Sequence, residues 1–456
     1  MSCNLSPIIK FILKKAYQMK KYYVILNALI VISLITALSV HAEEIALVGG
    51  TVIDVSNFGC SHSDIKDAVV IIEGEKITEV GNKHTVNIPE EARIINIKGK
   101  YILPGLIDGF AALDNQSFAN AYLAMGVTSI VGIEGYRRAP LFRKANPCPH
   151  IYNFGFVGKW KVSEKEIFNQ IEEWAQKDTK VINLMYELRP YQLKLAIHKS
   201  HELGITTLGE LGYTSYKEAI LFGIDILIHS VRYSLELAPE ELKRKVAADP
   251  FGQAAQIYTR WLGDLNENDS RIEKYAKVLG KSSVFLMPTL ILSCLDLPFV
   301  ENPWKEPITK IIDSKDLHDP LEKVSGKHPY KKETLESRNK LAQSILKIEK
   351  KYFLSGAKYL AGSGTDVLGT MPGISLHQEL KLLTRIGLNE RQAIAAATSN
   401  FSKALRLSNV GQIKPGYRAD IIVVDENPLE KIKNLREIHT IILRGKVLDR
   451  DWLLLN

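Results

Sequence analysis

Two rhythms of apolar residues divide the chain. Between Ile45 and Leu103 they come in short runs broken by turn residues: IALVGGTVIDV, AVVIIEGEKITEVG and ARIINIKGKYILPG. Gly49-Gly50, Glu73-Gly74-Glu75 and Lys98-Gly99-Lys100 read as hairpin punctuation between strands, which predicts a small β-sandwich. After Tyr101 the pattern changes to apolar strands alternating with amphipathic helices. The strands are LPGLID, GVTSIVGI, HIYNFGFVG, KVINLMY, ITTLGEL, IDILIHS, SVFLMPTL and KYLAGSGTD. The predicted helices between them are 118–125, 164–176, 191–203, 216–222 and 333–354. Eight strands with helical crossovers predict an α/β chain folded as a (β/α)8 TIM-like barrel.

Two inserts interrupt the alternation. Residues 235–280 read as a helical excursion, and 296–332, rich in Pro, Lys, Asp and His, as a loop over the barrel mouth. After a helix expected at 394–405, strands return in VGQIKPGYRADIIVVDENP and EIHTIILRGKVLD. These most simply complete the N-terminal sheet, so the sandwich domain is built from both termini. The resulting boundaries are 1–42 for a signal peptide, 43–102 and 409–456 for the two parts of the sandwich, and 103–408 for the barrel.

Composition adds only a size class: 456 residues with 46% hydrophobic and 24% charged residues suit one large barrel with a satellite domain. Charge changes the picture once the N-terminus is set apart. Lys10, Lys14, Lys15, Lys20 and Lys21 precede an uncharged stretch, and Val40-His41-Ala42 presents small residues spaced for signal-peptidase cleavage before Glu43. Translation from Met19 would give a more ordinary leader than translation from Met1. Without those five lysines the net charge of +8 falls to +3. No basic surface for nucleic acid is indicated. The expectation is export to a periplasmic or secreted location, with no stable membrane partner once the leader is cleaved and an anchored topology if it is not. Cys60, Cys148 and Cys294 are far apart and form no CxxC or metal-knuckle spacing.

The candidate chemistry collects at strand ends. Asp366 follows the eighth strand and its Gly362-Ser363-Gly364 run, on the barrel face where catalytic groups sit; an Asp there is also an ordinary helix or turn cap. His229 ends the sixth strand and Glu210, between Gly209 and the Leu211-Gly212 pair, ends the fifth. His198 and His201 lie one turn apart on a helix, as zinc pairs do, but the barrel reading puts them on the outer ring.

Several motifs together resemble the metal-dependent amidohydrolase superfamily, in its imidazolonepropionase-like and exported dipeptidase-like branch. They are Val48-Gly49-Gly50-Thr51-Val52-Ile53-Asp54, Leu103-Pro104-Gly105-Leu106-Ile107-Asp108, Gly364-Thr365-Asp366, His377-Gln378-Glu379-Leu380 and Gly411-Gln412-Ile413-Lys414-Pro415-Gly416. The resemblance implies hydrolysis of amide, cyclic amide or dipeptide C–N bonds. It also implies a metal centre, with Asp366 moving the proton as the catalytic acid/base. Its ligand positions fall on Phe110, Ala112, Asn183, Glu210, His229 and Asp366. Phe110, Ala112 and Asn183 supply no usual ligand, and Lys180 lies at an odd offset from position 183, facing the other side of its strand. Only His229 and Asp366 keep the implied identity, so a vestigial metal site of low occupancy is expected.

The resemblance thus implies a degraded centre with reduced or lost activity, a pseudoenzyme that keeps a small-molecule pocket lined by Phe110, Ala112, Asn183, Glu210 and His377. No tightly bound cofactor is expected; a divalent Zn or Mn would be present if the site still functions. The alternative is an active mononuclear or metal-independent amidohydrolase using Asp366, His229 and Glu210. Ligand identity and oligomeric state, including a homo-oligomer, stay open.

Overall fold

The structure is a computed structural model that describes residues 44–134, 140–158, 162–231, 233–248, 253–312, 332–365, 367 and 369–455. The leader and Asp366 therefore lie outside the described residues.

The N-terminal strands are β1 (Glu44–Val52), β2 (Ile65–Glu73), β3 (Lys76–Asn82), β4 (Arg93–Asn96) and β5 (Tyr101–Pro104). The barrel strands are β6 (Leu106–Ala111), β7 (Val127–Gly132), β8 (His150–Val157), β9 (Val181–Tyr186), β10 (Thr206–Leu211), β11 (Ile226–Ile228), β12 (Phe285–Met287) and β13 (Lys358–Tyr359). Then come β14 (Ile421–Val424), β15 (Ile438–Leu443) and β16 (Lys446–Leu448).

One sheet has eight strands with the path β16-β15-β14-β5-β1-β2-β3, and β4 also pairs with β1. Antiparallel pairing of β14 with β5, Ile422 opposite Leu103, joins the two ends of the chain. Because strand residues alternate between faces, Ile45, Leu47, Val70, Ile72, Ile102 and Ile421 fill one core, while Ala46, Val69 and Ile71 pack on the other side. Two of the expected hairpins do not form. Gly49-Gly50 lies inside β1, which runs straight through and pairs in parallel with β4 before the glycines and with β5 after them. Lys98-Gly99-Lys100 accordingly links two strands that flank the same neighbour rather than each other. The hairpin expected at Glu73-Gly74-Glu75 does form, between β2 and β3.

The second sheet is parallel throughout and follows sequence order from β6 to β13. Its ends meet: Gly109 N donates to Ala361 O (3.0 Å), Gly364 N to Phe110 O (2.9 Å) and Ala112 N to Thr365 O (2.9 Å). The eight strands thereby close, and their inward side chains, among them Val131, Tyr152, Phe154, Leu208, Ile226, Phe285 and Met287, fill the interior. The crossover helices fall where the 3.6-residue period places them, at Gln116–Ala124, Glu164–Gln176, Pro190–Glu202, Tyr216–Phe222 and Lys332–Leu354. Ser163 with Glu166 and Ser215 with Glu218 form capping boxes that fix two of the starts.

One further expectation is revised. The helix foreseen over 394–405 is two helices, Glu390–Ala396 and Ser399–Ala404. At the break Thr398 leaves helical geometry and its hydroxyl bonds back to Ile394 O (2.7 Å). Of the 296–332 insert, expected to lie over the mouth, residues 313–331 are outside the described residues. Glu301 pairs with Lys381 and Arg436, and Gln378 donates to Glu301 O, so the described part of the insert packs on the outer helix Ile374–Arg385.

Candidate functional site

The mouth is built at the C-terminal ends of β9, β10, β11 and β12. Leu208 of β10 lies opposite Asn183 of β9, which sets Glu210 one step nearer the rim than Asn183, and the Asn183 Nδ2 amide donates to Glu210 Oε2 at 3.3 Å. His229 follows β11; its backbone N donates to Met287 O at the end of β12 (3.0 Å) and takes φ +52°. This turn brings His229 Nε2 to 4.0 Å from Glu210 Oε1, with the two side chains only 11% and 20% exposed.

Thr289 Oγ1 lies within hydrogen-bond distance of both Pro288 O (2.7 Å) and His229 Nδ1 (2.5 Å). When its one hydrogen goes to Pro288 O, it accepts from Nδ1-H, and in the neutral ring Nε2 is then the basic nitrogen, turned toward Glu210. Thr289 itself sits at φ +48°, a strained position for a β-branched residue. What holds it is Glu379, whose Oε1 and Oε2 accept from Leu290 N (3.0 Å) and Ile291 N (2.8 Å). The next residue along from His229, Ser230, donates to the buried Glu349, which also accepts from Tyr359 Oη (2.7 Å). Burial pushes Glu349 up to about 7 and Glu379 up to about 8, against the lowering effect of their hydrogen bonds.

The opposite wall is aromatic. Phe110 meets Phe154 edge-on at 5.9 Å and His229 edge-on at 6.0 Å, Phe156 follows at 5.0 Å from Phe154, and Tyr233 lies 5.3 Å from His229. The structure thus brings together four of the sequence-derived residues, Phe110, Asn183, Glu210 and His229. Ala112 is buried beside them, tied to Thr365 O through its backbone.

His377 is elsewhere. It is buried on the helix Ile374–Arg385 with its Nε2 against Met125 O (2.8 Å), at the entry to β7 rather than the strand ends, and burial lowers it to about 4. It is a packed structural histidine, and a pocket role does not fit its place. His198 and His201 face outward as expected, His198 toward Glu202 and His201 toward Asp225. Sequence reasoning missed Thr289, Glu349 and Glu379, which act on His229 from outside the pocket. For Glu349 a signal existed: it falls on the stripe Ala342, Ile345, Ile348, Tyr352, where a charged residue has no reason to be unless it is bonded.

The metal implied by the resemblance can be tested against these donors. Among the described residues no three His, Cys, Asp or Glu side chains gather as a ligand group. Glu210 and His229 offer two donors, Phe110 sets a ring edge against His229, and Ala112 offers only a methyl. A catalytic metal is usually held by three protein ligands, and the described set falls short of that.

Comparison with known proteins fits this architecture. Residues 332–448 match the model of the Amidohydrolase family. The 5-methylthioadenosine/S-adenosylhomocysteine deaminase of Carboxydothermus hydrogenoformans is 23% identical over 90% of this chain and 93% of its own. The ochratoxinase of Aspergillus niger is 42% identical, but over 16% of this chain and 15% of its own. Its crystal structure superposes with a TM-score of 0.58 at 16% identity, covering 89% of this chain and 96% of that one. A Xaa-Pro dipeptidase with bound methionine superposes with a TM-score of 0.60 at 14% identity, covering 89% and 100%. Residues 332–448 are thus similar to the Amidohydrolase family, and the chain shares the fold of these solved structures over about nine-tenths of its length.

Proposed function

We propose that this chain binds a small amide, cyclic amide or dipeptide at the barrel mouth, as an amidohydrolase-superfamily hydrolase of C–N bonds whose metal centre is degraded and whose hydrolytic rate is correspondingly low. The observation that carries the reading is the ring of Phe110 packed against His229 on the wall where the superfamily resemblance calls for ligands. What this chain's own residues can do is bind and move a proton. Phe110, Phe154 and Phe156 exclude water from one side of the ligand. Asn183 Oδ1, buried and without a hydrogen bond among the described residues, can accept from a ligand N–H. His229 Nε2 can take a proton from an attacking water, and Glu210 is placed to stabilise the imidazolium that results.

A second reading, an active mononuclear enzyme, is favoured by the 4.0 Å approach of Glu210 and His229. One experiment separates the two: elemental analysis of protein purified without added metal, with hydrolysis assays on dipeptide, lactam and N-acyl substrates. The expected result is well under one divalent ion per chain and rates no greater than those of Asp366→Ala. Stoichiometric metal lost in His229→Ala, with turnover that depends on Asp366, would reject the degraded centre.

The proposal extends to export, which rests on the lysine-led apolar stretch and Val40-His41-Ala42. Protein recovered from the cell envelope or medium is expected to begin near Glu43; a mature product that retains Met19 and stays with the membrane would make it anchored.

A further inference from the structure

The end of the barrel opposite the mouth is formed by the N-terminal ends of its strands and the last turns of the crossover helices. Pro190–Glu202, Tyr216–Phe222 and Lys332–Leu354 end there by one device. Gly204, Gly223 and Gly356 take φ of +71°, +90° and +96°, and the residue after each donates back across the turn. Ile205 N bonds to Ser200 O (2.9 Å), Ile224 N to Ala219 O (3.1 Å) and Ala357 N to Tyr352 O (3.2 Å). The apolar residue such a cap uses is the one after the glycine, and Ile205, Ile224 and Ala357 are buried accordingly. Each turn also carries a leucine before the glycine, which the cap does not use. Leu203 is 40% exposed, Leu221 76% and Leu354 68%. One exposed leucine is ordinary, but three helix tips at one end of the molecule bearing one each call for a partner.

The charges around these tips are of one sign once the paired groups are set aside. The carboxylates of the turns before β9, β10 and β11 are Asp178, Glu202 and Asp225. Asp178 pairs with Lys180, Asp225 with Arg406 and His201, and Glu202 reaches only His198. Against them stand Lys281, the last residue of its helix, and Lys350 and Lys351, the former one turn from Leu354 on the same helix face. All three are exposed and have no ion pair among the described residues. The acids nearest to Lys350 and Lys351 are Glu267 and Glu273, which Lys347 and Lys277 already hold.

We propose that this end of the barrel docks the protein on an anionic phospholipid surface, with Leu203, Leu221 and Leu354 entering the headgroup layer and Lys281, Lys350 and Lys351 lying against the lipid phosphates. The leucines stand on separate loop tips. A protein partner would need a matching pocket for each, whereas a lipid surface takes each tip individually. Lysine stems lie along the apolar layer while their charges stay at its edge. The mouth, at the other ends of the strands, then faces the solution, and a small ligand reaches it from the bulk. The inference does not depend on which ligand binds there or on whether it is hydrolysed.

The test is co-sedimentation with vesicles of phosphatidylglycerol and phosphatidylcholine in equal parts, and with vesicles of phosphatidylcholine alone. The chain used begins at Glu43, which keeps every described element and removes the apolar leader that would bind lipid by itself. It is expected to partition onto the anionic vesicles at least about tenfold more strongly than onto the neutral ones, and less so as salt is raised. Joint replacement Lys281→Gln, Lys350→Gln and Lys351→Gln is expected to lower anionic binding about fivefold per lysine, on the order of a hundredfold together. Joint replacement Leu203→Ser, Leu221→Ser and Leu354→Ser is expected to lower it about tenfold or more. Leu221→Ser alone, at the most exposed of the three, is expected to lower it about threefold and guards against any loss of fold in the joint variant, which circular dichroism also checks. Equal partitioning onto both vesicles, or no partitioning, would overturn the proposal. So would anionic binding unchanged by the leucine replacements, which would reduce the face to ionic adsorption, or lysine-dependent binding of polyglutamate with none of vesicles, which would give the face to an acidic protein.

Discussion

Replacing Glu379 with alanine will lower the stability of the fold by about 2–5 kcal/mol and release the grip on His229. The magnitude follows from what the carboxylate does. Its two oxygens are the partners of Leu290 N and Ile291 N, in a region where Leu290 and Ile291 are fully buried. Removing the acceptor strands two buried donors, each costing about 1–3 kcal/mol, and the relief of no longer burying a carboxyl group offsets part of this. The strained turn at Thr289 then loses its anchor, and Thr289 Oγ1 moves away from His229 Nδ1. Chemical denaturation measures the first effect. The second is read in the imidazole NMR spectrum, where the Nδ1-H tautomer should give way to a mixture. A stability loss below about 1 kcal/mol together with an unchanged tautomer would show that the Leu290 turn holds without Glu379.

The same residue shows where reading the sequence stops. The eight barrel strands and the crossover helices were legible because each is a local pattern: an apolar run of strand length, or a 3.6-residue stripe with Ser or Asn at its start. The return of β14 to β5 was legible because unpaired apolar strands at both ends of a chain need partners. Pairing partners within the small sheet were not, because Gly49-Gly50 looks like a turn whether the strand bends there or continues with the glycines admitting a close neighbour, and the Lys98-Gly99 turn does not say that both strands it joins pair with β1. In the site, residues at strand ends inherit their positions from the barrel, so Phe110, Asn183, Glu210 and His229 converge as the resemblance implies. His377 and Glu379 lie two residues apart in one short motif, and nothing local says which faces the pocket. The helix turns His377 toward Met125 and Glu379 toward Leu290, so the residue that acts on the site is the one the motif did not single out. Thr289 was illegible for a different reason: its role comes from a left-handed backbone position that a β-branched residue does not advertise.

Glu349 offers the largest pH effect. Burial raises its carboxyl from the ordinary 4.5 to about 7, so the folded state keeps a proton that the unfolded chain has already released. Stability from this group is fully present below pH 4.5, falls as pH rises from there to about 7, and is constant above. Within that window the slope is about 1.4 kcal/mol per pH unit, and because the group is fully buried little of it is screened. Glu379, raised to about 8, and Asp108, raised to about 6, act in the same direction, so the wild-type curve alone does not isolate Glu349. Asp225 and Asp64, held low despite partial burial by His201 and Arg391 respectively, act in the opposite sense and matter only in acid. Glu349→Gln isolates the group, since its partners Ser230 and Tyr359 are hydroxyls that can turn to accept from an amide as readily as they donate to a carboxylate. The variant is expected to match or fall slightly below wild type at pH 5 and to gain on it by on the order of 2–3 kcal/mol by pH 8, with no further divergence above. Urea midpoints of both proteins, taken at intervals from pH 5 to pH 9, give the difference directly. Parallel curves across that range would mean that Glu349 is ionised in the fold at pH 5, with Ser230 and Tyr359 compensating its burial.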